Sequence, residues 1–266
     1  MQMIETPGQI LAAMRQKNPL VQNITNFVAM NIAANVMLAA GASPAMVHTK
    51  EEAGDFARIA AALTINIGTL SPDFLSGMKE AAKAAGEARK PWILDPVAHF
   101  ATAYRSAAVE ELLSLKPTVI RGNASEIMAL AGSQSSGQGV DSGDRTEKAE
   151  GAAVALARRH VCVVAVTGEQ DFVTDGDRSV HILGGSDLMP RVTALGCSLT
   201  ALVGAFVAAR PDQPFDATVA ALAMFAVAGE EAALAASGPG SFSPLFLDGL
   251  AALLPETLDA KARIVA

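Results

Sequence analysis

Apolar runs of strand length alternate with helix-period patterns through the first two thirds of the chain. Residues 19–22, 45–48, 63–67, 92–95, 118–121 and 161–166 read as strands. They are almost wholly apolar, as a sheet buried on both faces requires. Residues 26–40, 50–61, 72–88, 106–114, 124–131 and 146–159 read as the intervening helices, the first closed by Gly41. A hairpin follows, with residues 172–174 and 180–183 around the Asp175-Gly176 turn. Three helices, at 197–209, 216–236 and 244–254, end the pattern. Strand–helix alternation calls for right-handed crossovers, so the expected class is α/β with a mostly parallel central sheet covered on both faces. Residues 132–143, rich in Gly, Ser and Gln, are the one low-complexity stretch. No linker divides the chain, and residues 1–266 read as a single domain.

In such sheets ligands bind beyond the carboxyl ends of the strands. At those ends stand Asn23, Met46, Gly68, Asp95, Arg121 to Glu126, Thr167 and Gly168. Asn23, Asn26, Asp95, Asn123 and Glu126 make an amide and carboxylate group that a purely structural rim does not need. Asn123-Ala-Ser-Glu126 sets an amide and a carboxylate three apart on a first helical turn. That spacing serves a capping box, and beside Asp95 it also suits Mg²⁺, which takes one or two carboxylates plus phosphate and water. Arg121 offers a planar fork for a phosphate. Thr167-Gly168 fits either a phosphate contact or a simple turn. A Gly196-Cys197 pair opens the apolar run at 197–209, where free N–H groups and the helix dipole favour an anion. A thiol in that field is expected to ionise more easily. Cys197 taken alone reads as a small buried thiol; next to an anion cradle it reads as a nucleophile or base. No P-loop and no G-x-G-x-x-G occurs in the sequence.

Composition narrows the partners. The 266 residues are 51% hydrophobic and 18% charged, with a net charge of −7. That supports a large core and offers no basic surface to nucleic acid or anionic lipid. Cys162 and Cys197 make no disulfide framework, and residues 1–5 lack the pattern of a signal peptide, so a cytoplasmic setting is expected. The apolar runs at 199–209 and 217–228 read as core helices, too short to span a bilayer. Cys162 reads as core. His48 reads as an exposed strand end, and His99, His160 and His181 show no metal-ligand spacing.

Taken in order, the short motifs carry a resemblance. They are Gln22-Asn-Ile-Thr-Asn26 with Ala33 and Asn35, Gly41-Ala-Ser-Pro-Ala-Met46, Asn66-Ile-Gly-Thr-Leu70, Asp95-Pro-Val97 with Thr102 and Arg105, Arg121-Gly-Asn-Ala-Ser-Glu126, Val166-Thr-Gly168 and Gly196-Cys-Ser-Leu-Thr-Ala201. The chain resembles the hydroxyethylthiazole kinases of the ribokinase-like superfamily. The resemblance implies a three-layer α/β/α fold and phosphorylation of 4-methyl-5-(2-hydroxyethyl)thiazole by ATP with Mg²⁺, in thiamine salvage. It implies that Cys197 takes or orients the hydroxyl proton, where most of the superfamily has aspartate. Ala194, Leu195 and Gly196 would form the anion hole, and Arg121, Thr167 and Gly168 would contact ATP. Met46, Ala194 and Asn23 would line the thiazole pocket. Asp95 and Glu126 would act on the metal mainly through water, with Asn123 in support. A homotrimer with sites at subunit boundaries is also implied. Two departures stand out: Ala194-Leu195 where the family usually has Gly-Thr, and Ala98 where it tends to Gly. An alanine at 194 is strained if that backbone needs positive φ. These changes keep two alternatives open, a kinase for another small heterocyclic or vitamin alcohol and a non-catalytic nucleotide-binding regulator on the same fold.

Overall fold

The first helix begins where Thr6 and Gln9 cap each other. The Thr6 hydroxyl accepts the Gln9 N–H, and the Gln9 side chain accepts the Thr6 N–H, opening α1 (Pro7–Lys17). The structure, a computed structural model, describes residues 3–132 and 146–266; most of the low-complexity stretch lies outside them. After α1 come β1 (Leu20–Ile24), α2 (Met30–Ala40), β2 (Ser43–Ala45), α3 (Lys50–Ile59), β3 (Ala62–Asn66) and α4 (Pro72–Glu87). Next are β4 (Trp92–Asp95), α5 (Ala103–Leu113), β5 (Val119–Asn123), α6 (Ala124–Leu130), α7 (Thr146–His160) and β6 (Val163–Thr167). The hairpin is β7 (Asp171–Thr174) and β8 (Ser179–Leu183). It is followed by α8 (Leu195–Ala209), α9 (Pro214–Ala235), α10 (Pro239–Ala252), α11 (Pro255–Lys261) and β9 (Arg263–Val265).

Among the described residues the strands form one nine-stranded sheet in the order β2-β1-β3-β4-β5-β6-β7-β8-β9. Pairing is parallel from β2 through β6 and antiparallel from β6 to β9. One face is covered by a core that includes Met37 of α2, Leu202 and Phe206 of α8, Met224 of α9 and Phe246 of α10. The opposite face carries α3, α4 and α5, through Ala53, Met78 and Leu112, and then α6 and α7 through Ile127 and Leu156. The result is a three-layer α/β/α sandwich. Strand order reverses between β1 and β3, and crevices for ligands open at such a switch point.

Several elements differ from the sequence pattern. The helix read over 26–40 starts only at Met30, because Asn26 Oδ1 accepts the N–H groups of Val28 and Ala29 and holds them in a turn. It ends as expected at Gly41, with φ of 102°. The strand read over 45–48 lies at Ser43–Ala45, in register with β1, so Met46 to His48 fall beyond its carboxyl end. His48 is half-buried and stacks on Phe74, ring centroids 4.5 Å apart, rather than standing exposed. Helix α1, although Thr6-Pro-Gly-Gln9 spells its cap, and helix α11 and strand β9 are not among the expected elements. The seven residues of α11 and the three of β9 are too short to show a period, and β9 is largely exposed. Helix α9, read as too short for a bilayer, has 22 residues and is long and apolar enough to cross one. Yet 78% of its apolar window is buried, where it packs on α8 and α10.

Candidate active site

The polar rim is built by parallel register. Asn66 pairs with Asp95 across β3 and β4, and Asn123 with Thr167 across β5 and β6, so four polar residues end adjacent strands together. Asp95 is 1% exposed. Its Oδ2 accepts from Asn66 Nδ2 and from Thr200 Oγ1, each at 2.7 Å, and lies 3.6 Å from Arg121 Nη1. Its Oδ1 is buried without a hydrogen-bond partner. Burial pushes this carboxyl above its ordinary range, while Arg121, Thr200 and Asn66 pull it down.

Arg121 is buried and its Nη2 donates to Thr167 Oγ1. The guanidinium lies against the start of α8: a Cβ on Gly196 would come within 3.0 Å of Nη1. A side chain there would need the guanidinium to give way by a few tenths of an ångström. Gly168 N donates to Asp171, whose half-buried carboxyl burial pushes up to about 6.

Asn123 and Glu126 form the expected capping box. Glu126 N donates to Asn123 Oδ1 at 2.9 Å, and Asn123 N donates to Glu126 Oε2 at 2.8 Å. Glu126 Oε1 accepts a second N–H, from Ala98 at 2.9 Å, which ties the turn after β4 to α6. Burial, and then the Asp95 charge, push the Glu126 carboxyl up to about 7. Among the described residues no group of three or more His, Cys, Asp or Glu gathers at metal-binding spacing. The pair Asp95 and Glu126, with one orphaned Asp95 oxygen, nevertheless fits Mg²⁺, which needs few protein ligands when phosphate and water supply the rest.

At the start of α8 the first intrahelical donor is Ser198 N, to Ala194 O at 2.9 Å. The N–H groups of Leu195, Gly196 and Cys197 therefore have no acceptor within the helix. Ala194 sits at φ 61°, ψ 13°, the left-handed conformation that the resemblance put in question. Ala98, the other departure, also sits at positive φ, 47°. The Leu195 side chain is buried in the core at 4% exposure, so it offers an anion only its backbone. Cys197 is half-buried, and its Sγ lies 3.4 Å from Asn26 Nδ2. The sequence reading of an easily ionised thiol is corrected here. Burial, then the Asp95 charge, push the thiol up to about 11, against weaker help from Asn26, Arg121 and Asn66.

Asn23 also takes a different place. It is 1% exposed, its Nδ2 donates to Val21 O, and its Oδ1 accepts from Thr64 Oγ1 at 2.7 Å. It braces β1 against β3 beneath the rim and does not face it. Met46 is half-buried past β2, packed on the core. The sequence reading gave no role to Asn66, Thr200, Arg105 or Asp171. Arg105 donates to the carbonyls of Ile67, Val97 and Gly68, clamping the ends of β3 and β4. The available signal for Asn66 was a polar residue closing an apolar run, the same signal that marked Asp95.

Residues 11–256 match the hydroxyethylthiazole kinase family. A hydroxyethylthiazole kinase of Rhizobium johnstonii is 71% identical over 266 residues, covering all of both chains. The chain belongs to the hydroxyethylthiazole kinase family. A family member from Cereibacter sphaeroides is 62% identical over 97% of this chain and 98% of its own. The solved hydroxyethylthiazole kinase of Pyrococcus horikoshii superposes with a TM-score of 0.89 at 40% identity, covering 97% of each chain. The pyridoxal kinase of Staphylococcus aureus, at 16% identity and a TM-score of 0.57, covers 80% of this chain and 88% of its own and shares the fold alone. The chain is a kinase on a ribokinase-like fold.

Proposed function

We propose that this kinase phosphorylates the primary alcohol of 4-methyl-5-(2-hydroxyethyl)thiazole, using ATP with Mg²⁺, as a cytoplasmic homotrimer in thiamine salvage. The observation that carries the reading is one bonded row along the strand ends: Cys197, Asn26, Asn66, Asp95, Arg121 and Thr167. It sets a thiol and a helix N-terminus beside a carboxylate and a phosphate-gripping arginine. Family membership supports the thiazole alcohol as acceptor.

In this reading Arg121 and Thr167 hold ATP, with Gly168 beside them. The N–H groups of Leu195, Gly196 and Cys197 meet the charge that builds on the transferring phosphoryl group. Asp95, and Glu126 mainly through water, would hold Mg²⁺, with Asn123 fixing Glu126; the bound ion neutralises phosphate charge. Cys197, whose burial keeps the thiol protonated at physiological pH, orients the alcohol rather than abstracting its proton, and that proton passes late to an oxygen of the transferring phosphoryl group. Met46 and Ala194 border the thiazole pocket, and Asn23 supports it from below.

The test is ADP formation dependent on the acceptor, comparing the thiazole alcohol with hydroxymethylpyrimidine and pyridoxal, alongside thermal shifts with each ligand. Turnover and a raised Tm with the thiazole alcohol support the reading. Turnover with another alcohol alone, or a shift with ATP and no turnover with any acceptor, overturns it.

A further inference from the structure

Two asparagines lie between the Cys197 sulfur and the Asp95 carboxylate, and backbone groups decide which way each amide points. Asn26 Oδ1 accepts from Val28 N at 3.1 Å and Ala29 N at 3.0 Å. Its Nδ2 therefore faces the other way, 2.8 Å from Asn66 Oδ1 and 3.4 Å from Cys197 Sγ. Asn66 Oδ1 also accepts from Gly68 N at 2.9 Å, which leaves its Nδ2 to donate to Asp95 Oδ2 at 2.7 Å. Turning either amide over would set N–H against N–H in a site where both residues are at most 5% exposed. The Asn26 amide lies close against Gly68, where a Cβ would stand 2.6 Å from its Nδ2. The row has fixed directions: Asn26 donates both to the sulfur and to Asn66, and Asn66 donates on to the carboxylate.

We propose that Asn66 is a positioning residue for Cys197. By accepting one N–H of the Asn26 amide it turns the other onto the sulfur, and by donating to Asp95 it ties that orientation to the carboxylate. This deepens the reading of Cys197 as the group that meets the alcohol and rests on it. Thr200 gives a contrast, because it donates to the same Asp95 oxygen yet has no bond to either amide. The charged groups acting on the thiol are Asp95 from β4 and Arg121 from β5. An N–H aimed at sulfur favours the thiolate against burial and the Asp95 charge.

The experiment is iodoacetamide alkylation of the full chain without nucleotide or metal, followed by mass spectrometry at residue 197 across a pH series. Wild type is compared with Asn26→Ala, Asn66→Ala, the double variant and Thr200→Val. The expected result is a pH midpoint about one unit higher in each asparagine variant, equal to about tenfold slower alkylation below the midpoint. The double variant should move by less than the sum of the two single ones, since Asn66 acts on the sulfur partly through Asn26, and Thr200→Val should stay at the wild-type midpoint. A parallel arm expects kcat to fall in Asn66→Ala with the KM for ATP unchanged. A wild-type midpoint in Asn66→Ala, or an equal move in Thr200→Val, overturns the proposal. Should the alanine variant not fold, Asn66→Val, which has no acceptor for Asn26, takes its place under the same criteria. Full turnover by Cys197→Ser would remove the catalytic reading alone, and the alkylation series would still decide the role of Asn66.

Discussion

Glu126 accepts a backbone N–H on each carboxylate oxygen, yet burial and Asp95 raise its carboxyl from 4.5 to about 7. The folded chain thus binds this proton more tightly than the unfolded one. Its contribution to stability is complete below about pH 4.5 and is lost as pH rises through about 7. Asp171, raised to about 6, acts with the same sign. Metal-free protein should lose about 1–3 kcal/mol of unfolding free energy between about pH 5 and about pH 8, and Glu126→Gln should lose clearly less. Parallel slopes for the two in denaturant titrations would refute the assignment. Cys197 poses the opposite question, whether its ionisation matters. With its thiol at about 11 it works chiefly by orienting the alcohol, so Cys197→Ser should lower kcat by only ~10–10³-fold. Complete inactivity with ATP binding intact would contradict that role. Ala98 and Ala194 hold positive φ where a side chain costs about 1–2 kcal/mol. Glycine at either position frees the unfolded chain as well, by about 0.4–1 kcal/mol. Each substitution to Gly should therefore be neutral or stabilising by up to about 1 kcal/mol in thermal unfolding. A clear loss would mean that the left-handed turns are not strained.

Helix α8 shows how one element organises the site. Gly196, Thr200 and Gly204 are four residues apart and share the face turned to the sheet. Gly196 lies on the Arg121 guanidinium, Thr200 donates to Asp95, and a Cβ on Gly204 would stand 2.5 Å from Thr64 Cγ2. The lower glycine lets the helix come close, and the upper two residues then reach the rim. Gly204→Ala should cost about 1–3 kcal/mol of stability by overpacking. Gly196→Ala should leave stability nearly unchanged and raise the KM for ATP about tenfold, by pushing Arg121 off Thr167. A normal ATP KM in a folded Gly196→Ala protein would break the link between α8 and the nucleotide. Elements long enough to show a period, such as α4, β4 and α9, were legible in the sequence within a residue or two. So was the rim, because Asp95, Asn123 and Glu126 interrupt apolar runs or fit a capping spacing. Asn66 was not, since its role depends on register with a strand 29 residues away. The raised thiol was illegible too, because it comes first from burial and then from Asp95, brought in by the fold from 102 positions earlier (197 − 95).

For the whole molecule, exposed apolar side chains near the site bear on how copies meet. Phe27 is 66% exposed, Val28 56% and Leu38 61%. Phe27 and Val28 follow Asn26, which touches Cys197, and Leu38 lies farther along the outward side of α2, beyond Asn31 and Asn35. Exposed large apolar side chains favour association. A second copy seated there would cover the turn that holds Asn26 and close the thiazole side of the cleft, leaving Arg121 and Thr167 untouched. That separation makes the proposed trimer testable by more than its mass. Sedimentation should give three chains per particle in wild type and fewer in Leu38→Lys, which sets three or more charges into the buried interface. The variant, folded as a smaller species, should show a raised KM for the thiazole alcohol and an ordinary KM for ATP, because only the alcohol's pocket depends on the neighbour. A wild-type monomer with full turnover at nanomolar concentration would remove the neighbour from the mechanism. So would Leu38→Lys protein that stays monomeric with an unchanged KM for the alcohol.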